Sequence, residues 1–389
     1  MLACQRDPTL RFLQTEVVSC TANGDAFEIV LADTILYPEG GGQPADHGRI
    51  GGARIRDVQR VGGVVIHTAN RRVELGPTRV EVDWSRRFDH MQQHTAQHLL
   101  TAVAQDRYGW ATTSFHLYED RCDIEVDVAA VGSSEILALE AAVNAEIRAA
   151  RPVGMRVVDR TQFAELEVRT RGLPDDVEQI RLVEIEGLDR NTCGGTHVRN
   201  TSQIGRIQLL GAEKLRGGTR LFFIAGDRIG TWLRRSMSRE AALSRVLSSA
   251  PRDHLAAVEK ILSDGKASNK AQRLIRGELA SLLGNELARA GNDTLALHRA
   301  DADMGFLNQV ASAAVAIRPD VTLLLTAGES AGVFLLVAPI DRLNNVKSEV
   351  LEILGGRGGG PPGRLQGRAT RIDRRNDALA ALGISNGRD

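Results

Sequence analysis

His94-Thr-Ala-Gln-His98 sets two imidazoles four residues apart. On a helix that spacing puts both on one face, about one turn apart, where they can share a small ion. The competing reading is a polar helix face whose histidines are bonded in the core or exposed to water. Cys193-Gly-Gly-Thr-His197 offers a thiolate and a third imidazole, with two glycines that let a tight loop turn both side chains inward. The four together form a Cys-His₃ set suited to borderline-soft Zn²⁺. Nearly one hundred residues separate the two halves, so only the fold can join them. A zinc ion with an open position can polarise a carbonyl, lower the pKa of bound water towards ~7, or hold an amine, and the sequence leaves these roles open. With Cys193 as thiolate the site keeps a net charge near +1, which favours an attacking hydroxide or a developing oxyanion. Ester hydrolysis fits that charge.

Two glycine-rich stretches accompany the set. Tyr37-Pro-Glu-Gly-Gly-Gly-Gln-Pro-Ala-Asp46 allows close approach of backbone amides to a ligand, or it forms a tight turn at the edge of a β domain. It is not a Walker loop, because no Gly-Lys-Ser/Thr follows. Gly41, Gly42 and Gln43 are its candidate substrate contacts. Gly355-Gly-Arg-Gly-Gly-Gly-Pro-Pro362 reads as a glycine-rich loop, and from Arg357 to Arg375 six arginines (357, 364, 368, 371, 374 and 375) face one acid, Asp373. That local excess suits a phosphate backbone, with Arg357, Arg364, Arg368 and Arg371 as the candidate RNA contacts.

The elements that must position these groups follow from hydrophobic period. Residues 1–88 show short valine- and isoleucine-rich runs with glycine turns, as a small β-barrel-like domain would. After Arg87 the period changes, and Met91, Thr95, Leu99 and Val103 predict a helix of about four turns. Strands at 122–128 and 155–158 and a helix at 134–150 make residues 89–228 an α+β domain, which includes paired strands at 204–210 and 220–225. Residues 229–290 read as a helical arm broken at Pro251 and Gly265, with Leu279, Leu283 and Leu287 placed to pack within a hairpin or against a second copy. Residues 291–389 read as a C-terminal α/β domain.

Composition bounds the remaining classes. The 389 residues are 42% hydrophobic and 25% charged, enough for two to three folded domains and against disorder. Lys+Arg and Asp+Glu balance at 49 each, so any nucleic-acid surface must be local. Aromatics, at 4%, are too few for a large base-stacking platform. Four scattered cysteines, an N-terminus without a signal-like apolar stretch and a most apolar late segment (Val333 to Ile340) far short of the roughly 20 residues of a membrane span point to a cytoplasmic protein with no membrane partner.

The GGGQP loop, His94-x-x-x-His98, Cys193-x-x-x-His197 and the late GGRGGG segment, in this order, resemble the free-standing alanyl-tRNA editing proteins, the AlaX family, in its long form. The first three motifs are similar to the editing half of alanyl-tRNA synthetase. The helical arm plus GGRGGG is similar to the DHHA1 domain that ends that synthetase and some phosphoesterases. The resemblance implies a zinc-dependent aminoacyl-tRNA hydrolase that removes serine, and also glycine, from mischarged tRNA(Ala), with His94, His98, Cys193 and His197 as zinc ligands. It places the amino-acid pocket on the strand after the first motif, at Thr113, Ser114 and His116. The glutamine that synthetase editing domains often carry there is absent, which leaves Gln97 or Gln43 to read the serine hydroxyl. No catalytic acid or base is assigned. A homodimer through the arm or the C-terminal domain is a further expectation, drawn from the leucines of the arm. Two alternatives remain: a tRNA-binding regulatory protein without turnover, and a metal-dependent phosphoesterase, whose aspartate-histidine-histidine signature is broken here at Asp89-His90-Met91.

Overall fold

Glycine turns and alternating Val/Ile runs close the N-terminal segment into a barrel. The computed structural model describes residues 1–169, 178–290 and 292–383 and has two compact units, Met1–Ala242 and Leu243–Asp389. In the first unit, a turn of helix α1 (Ala3–Arg6) precedes strands β1 (Phe12–Asn23), β2 (Ala26–Leu31), β3 (Gly48–Ile50), β4 (Ala53–Val61), β5 (Val64–Ala69) and β6 (Gly76–Val82). They form a closed barrel in the order β1-β2-β5-β4-β3-β6. Val17, Ile29, Ile50, Ile55, Val58 and Val80 fill it.

Helix α2 (Trp84–Tyr108) is longer than the period predicts: 25 residues, beginning before Arg87. Asp83 caps it by accepting from the Arg86 amide, and Gly109, at φ 71°, ends it in the left-handed conformation. The pattern misleads because Arg87, Gln92, Gln93, His94, Gln97 and His98 are buried, so polar residues stand where a core-facing stripe is sought. Arg87 ties barrel to helix, donating to the Asp46 carboxylate and to the carbonyls of Ile35 and Pro8.

After α2 come β7 (Thr112–Leu117), β8 (Cys122–Val126), α3 (Ser133–Arg148), β9 (Val153–Val158), α4 (Arg160–Ala164), β10 (Ile180–Ile185), β11 (Asp189–Thr192), β12 (Ile207–Leu215) and β13 (Gly218–Ala225). Two antiparallel sheets result, β11-β10-β9 and β12-β13-β8-β7. Leu99, Leu100, Val103, Ile124, Val143 and Phe223 join α2, α3 and the second sheet in one core. Mixed α+β is therefore the class. Helix α5 (Asp227–Leu247) follows.

In the second unit Pro251 opens a short 3₁₀ turn, but Gly265 interrupts nothing: α6 runs unbroken from His254 to Arg289. Each of its interior glycines, Gly265, Gly277 and Gly284, costs about 1 kcal/mol relative to alanine, which 36 residues of helix absorb. Leu279, Leu283 and Leu287 pack against Phe306, Leu307 and Val310 of the same chain rather than projecting freely. Then follow β14 (Thr294–His298), α7 (Met304–Ile317), β15 (Thr322–Gly328), β16 (Gly332–Val337), α8 (Ile340–Leu354), β17 (Gly356–Gly359), β18 (Arg364–Ala369) and α9 (Arg375–Ala381). The sheet order is β14-β15-β16-β18-β17, and only β14–β15 is parallel. The GGRGGG segment is not a loop but the edge strand of a hairpin. A Cβ at Gly358 would lie 2.2 Å from the Gln366 carbonyl oxygen, so absence of a side chain lets the strands close. Gly291, the expected start of the C-terminal domain, lies outside the described residues, as do 384–389.

Candidate metal centre

Helix α2 presents His94 and His98 to the loop after β11, which returns Cys193 and His197. The four ligand atoms lie within 4.8 Å of one another, so the group could hold a metal ion. Cys193 Sγ is 3.5 Å from His94 Nε2 and 3.3 Å from His197 Nε2. The loop approaches the helix at a glycine: a Cβ on Gly195 would sit 2.3 Å from His94 Cε1.

Every imidazole is held from behind. His94 Nδ1 bonds Gln43 Oε1 at 2.9 Å, and that oxygen also accepts from the Thr196 amide. His98 Nδ1 donates to Asp189 Oδ2 at 3.3 Å. Thr95 Oγ1 gives its proton to the Met91 carbonyl, so it accepts from His197 Nδ1 at 3.2 Å. With each Nδ1 engaged from behind, the three Nε2 atoms are left to face the sulfur. Gln43 reaches this position through a two-residue turn in which Gly41 (φ 57°) and Gly42 (φ 79°) both have positive φ, the geometry of a type I′ hairpin. It is a support for His94, with its Nε2 donating to Thr196 Oγ1, rather than a free reader of substrate.

The electrostatics suit cation capture. Burial would raise the Cys193 thiol, but the His94 and His197 rings reverse this and hold it well below its ordinary value. Burial keeps His197 neutral, down to about 3. At His98 burial opposes charge, yet the hydrogen bonds to Asp189 and Cys193 prevail and raise it to about 9. A thiolate beside one imidazolium results, a donor set from which a bound cation would displace that proton.

In front of the tetrad lies a cavity of about 640 Å³, lined by Gly41, Gly42, Gln97, Thr101, Thr112, Phe115 and Arg169 together with His94, His98 and Cys193. Gln97 donates from Nε2 to Thr101 Oγ1 at 3.0 Å, while its buried Oε1 has no partner. Thr113, Ser114 and His116 are not among the lining residues. Thr113 Oγ1 donates to the Glu125 carbonyl and His116 Nδ1 bonds Asp123. A register shift between Thr112 and Ser114 breaks the alternation and turns Thr112 and Phe115 towards the cavity instead. Thr101 was recoverable from sequence, since His94, Gln97, His98 and Thr101 follow the i, i+3, i+4, i+7 pattern of one helix face; Asp189 and Arg169 carried no such signal. Asp89, by contrast, is spent on Arg228 at 2.7 Å. Arg357, Arg364, Arg368 and Arg371 all belong to the second unit, on or next to the β17–β18 hairpin.

The family described as "Threonyl and Alanyl tRNA synthetase second additional domain" matches residues 180–235, which contain Cys193 and His197. The alanyl-tRNA editing protein Aarsd1 of Rattus norvegicus is 40% identical over 400 residues, covering 97% of this chain and 96% of that protein. This chain belongs to the alanyl-tRNA editing protein family. Within the family, AlaX-L of Pyrococcus horikoshii is 30% identical, with 93% of each chain covered. An alanine–tRNA ligase from Methanoregula boonei is also 30% identical, over 90% of this chain but 40% of the ligase. No helix among the described residues is long and apolar enough to cross a membrane.

Proposed function

We propose that this editing protein acts in trans as a deacylase, hydrolysing the ester that joins serine, and more slowly glycine, to the 3′ end of tRNA(Ala). The observation that carries the proposal is the convergence of His94, His98, Cys193 and His197 at a cavity whose Gln97 Oε1 is an unpaired buried acceptor. We assign Zn²⁺ to the tetrad: on a tetrahedral ion with bonds of about 2.3 Å to sulfur and 2.0–2.1 Å to nitrogen, the donors stand about 3.5 Å apart, close to the 3.3 and 3.5 Å found. When bound, an ion that keeps a position open beyond these donors would supply a Lewis-acid centre beside the ester.

The chain's own residues supply selectivity. Thr101 fixes the Gln97 amide by accepting from Nε2, which leaves Oε1 to accept from the serine hydroxyl. Alanine, lacking that hydroxyl, leaves the oxygen buried and unpaired at a cost of about 1–3 kcal/mol, so it is spared by roughly 10- to 100-fold. Glycine enters the same cavity without the hydroxyl bond. The four-part organisation 1–88, 89–228, 229–290 and 291–389, with a DHHA1-like last part, belongs to this proposal, as does tRNA contact by Arg357, Arg364, Arg368 and Arg371. Self-association through the arm is its final component: α6 leaves Leu255, Ile261, Leu262, Leu274 and Ile275 exposed, and sedimentation across a concentration series should show a dimer, whereas a constant monomer mass removes that component.

The test is release of amino acid from Ser-, Gly- and Ala-tRNA(Ala), with zinc measured on the same samples. The expected order is Ser above both Gly and Ala, which alike leave Gln97 Oε1 unpaired, and Cys193→Ala should lose both zinc and hydrolysis. Gln97→Ala should keep hydrolysis while its preference for serine falls about tenfold or more. Unchanged serine release by zinc-free Cys193→Ala would overturn the proposal.

A further inference from the structure

The outer face of the barrel carries a charge arrangement that its own stability does not require. Arg49 on β3 and Arg54 on β4 stand directly opposite each other, and Arg56 follows Arg54 on the same face; all three are exposed. Like charges directly opposite in a sheet are destabilising. Arg71 adds a fourth guanidinium, with Nη2 so close over the β3–β4 turn that a Cβ on Gly52 would lie 2.8 Å from it. Among the described residues no ion pair neutralises any of the four. The carboxylate opposite Arg49 on β6, Glu81, is paired with Arg79 at 3.2 Å. Asp83 caps α2. Arg49, Arg54 and Arg56 line, with His47 and the two already engaged carboxylates Glu81 and Asp83, a surface cavity of about 580 Å³.

We propose that this face binds the phosphodiester backbone of the RNA substrate just behind its acceptor end, an inference that rests on the deacylase function. Arg49 Nη1 donates to the Gly52 carbonyl at 3.3 Å, which leaves its charge unneutralised; a polyanion neutralises several such guanidinia at once, and arginine suits phosphate because its planar fork donates in pairs. The position fits as well. The cavity reaches Asp83 at the start of α2, and His94 lies eleven residues further along that helix, about 16 Å at 1.5 Å per residue. A strand whose 3′ end enters the tetrad cavity and runs back along α2 towards Asp83 would reach the barrel within a few nucleotides. Free inorganic phosphate and an acidic protein are the other anions the face could meet, and the experiment separates them from RNA.

Binding of uncharged tRNA(Ala) to the zinc-loaded full chain is measured by anisotropy across a salt series, alongside hydrolysis of Ser-tRNA(Ala) and of a serine ester of adenosine that lacks a phosphodiester backbone. Arg49→Gln/Arg54→Gln, both at exposed positions, should weaken tRNA binding at least tenfold and reduce the slope of log affinity against log salt by about 1.5, as two lost phosphate contacts do. The adenosine ester should be hydrolysed at the wild-type rate. Arg49→Lys/Arg54→Lys should restore the salt slope. Unchanged tRNA affinity and slope in the glutamine variant overturns the inference, and so does an equal loss on tRNA and on the adenosine ester, which would place the effect in the fold or the tetrad. Competition by millimolar inorganic phosphate as effective as by tRNA also overturns it. Failure of the wild-type chain to hydrolyse either ester, with tRNA binding and its arginine dependence intact, would instead remove the deacylase function.

Discussion

The tetrad and the two arginine faces organise charge in opposite ways. His94, His98, Cys193 and His197 are brought together out of water, and each ring is bonded behind by Gln43, Asp189 or Thr95. On the barrel Arg49 and Arg54 face each other across β3 and β4, and on the C-terminal hairpin Arg357 and Arg368 do the same across β17 and β18. The buried arrangement concentrates its energy in a few fixed distances, so one displaced atom should cost everything. The exposed arrangement spreads its energy over many screened contacts, so each change should cost little and salt should erase it.

The largest effect is expected where the tetrad is tightest. Gly195→Ala puts a methyl 2.3 Å from His94 Cε1 and 2.9 Å from Gln43 Oε1, although no ligand is changed. The ring must tilt or the loop must withdraw. Zinc content and serine release should both fall to the level of Cys193→Ala, with far-UV circular dichroism unaltered. A fully metallated, active Gly195→Ala chain would show that the tetrad tolerates displacement and would erase the contrast with the arginine faces.

Next in size is the loss of a support. Asp189→Asn keeps the shape behind His98 but removes the charge that holds its Nδ1 proton. Metal affinity, read by competition with a chelator, should fall about 10- to 100-fold. Fast turnover should return at saturating zinc, which Cys193→Ala cannot achieve. Equal affinity in both chains would mean that the supports orient nothing.

This division between ligands and supports also marks where sequence was legible. The four candidate ligands stand out because metal chemistry restricts the residue types and helical geometry restricts the spacing. Gln43, Thr95 and Asp189 serve through single hydrogen bonds that many residue types make, so nothing in their spacing distinguishes them. The barrel and the α+β class follow from period and turn residues. The boundaries of α2 escape because a helix buried on most sides with polar residues has no clear stripe. A bulge in β7 breaks the alternation, so Thr112 and Phe115 line the cavity and not Thr113, Ser114 and His116, where the family resemblance puts the pocket. In β17 glycine serves strand contact, whereas its composition suggests a loop.

The barrel supplies a control, a buried histidine with no nitrogen to spare. His67 donates from Nδ1 to the Ile29 carbonyl and accepts at Nε2 from Thr34 Oγ1. Burial lowers it from its ordinary 6.5 to about 4. The unfolded chain takes up a proton near 6.5 that the folded barrel refuses until about 4, so stability is full above pH 6.5 and is lost as pH falls through that window. The loss amounts to a few kcal/mol, on the order of 1.4 per pKa unit. His67→Leu should flatten the fall in urea midpoint between pH 7 and pH 4.5 and leave zinc content unchanged. An unaltered pH profile would assign the acid sensitivity to other buried groups, such as His90, which burial also lowers to about 4.

The smallest effects belong to the C-terminal hairpin, and its arginines should not behave alike. Arg357 and Arg368 are exposed and face one another. Arg364 donates to Asn308 Oδ1 and reaches Ser312 Oγ, and Arg371 donates to the Glu352 carbonyl, so these two are partly engaged within the chain. Arg357→Ala should weaken tRNA(Ala) binding several-fold at low salt, lower the salt slope by about 0.7–0.9 for one lost phosphate contact, and leave the melting temperature unchanged. Arg364→Ala should instead lower the melting temperature with a smaller change in slope, because what it removes is a tie between β18 and α7. If both variants lose only stability, the hairpin is a structural element, and RNA contact falls to the barrel alone.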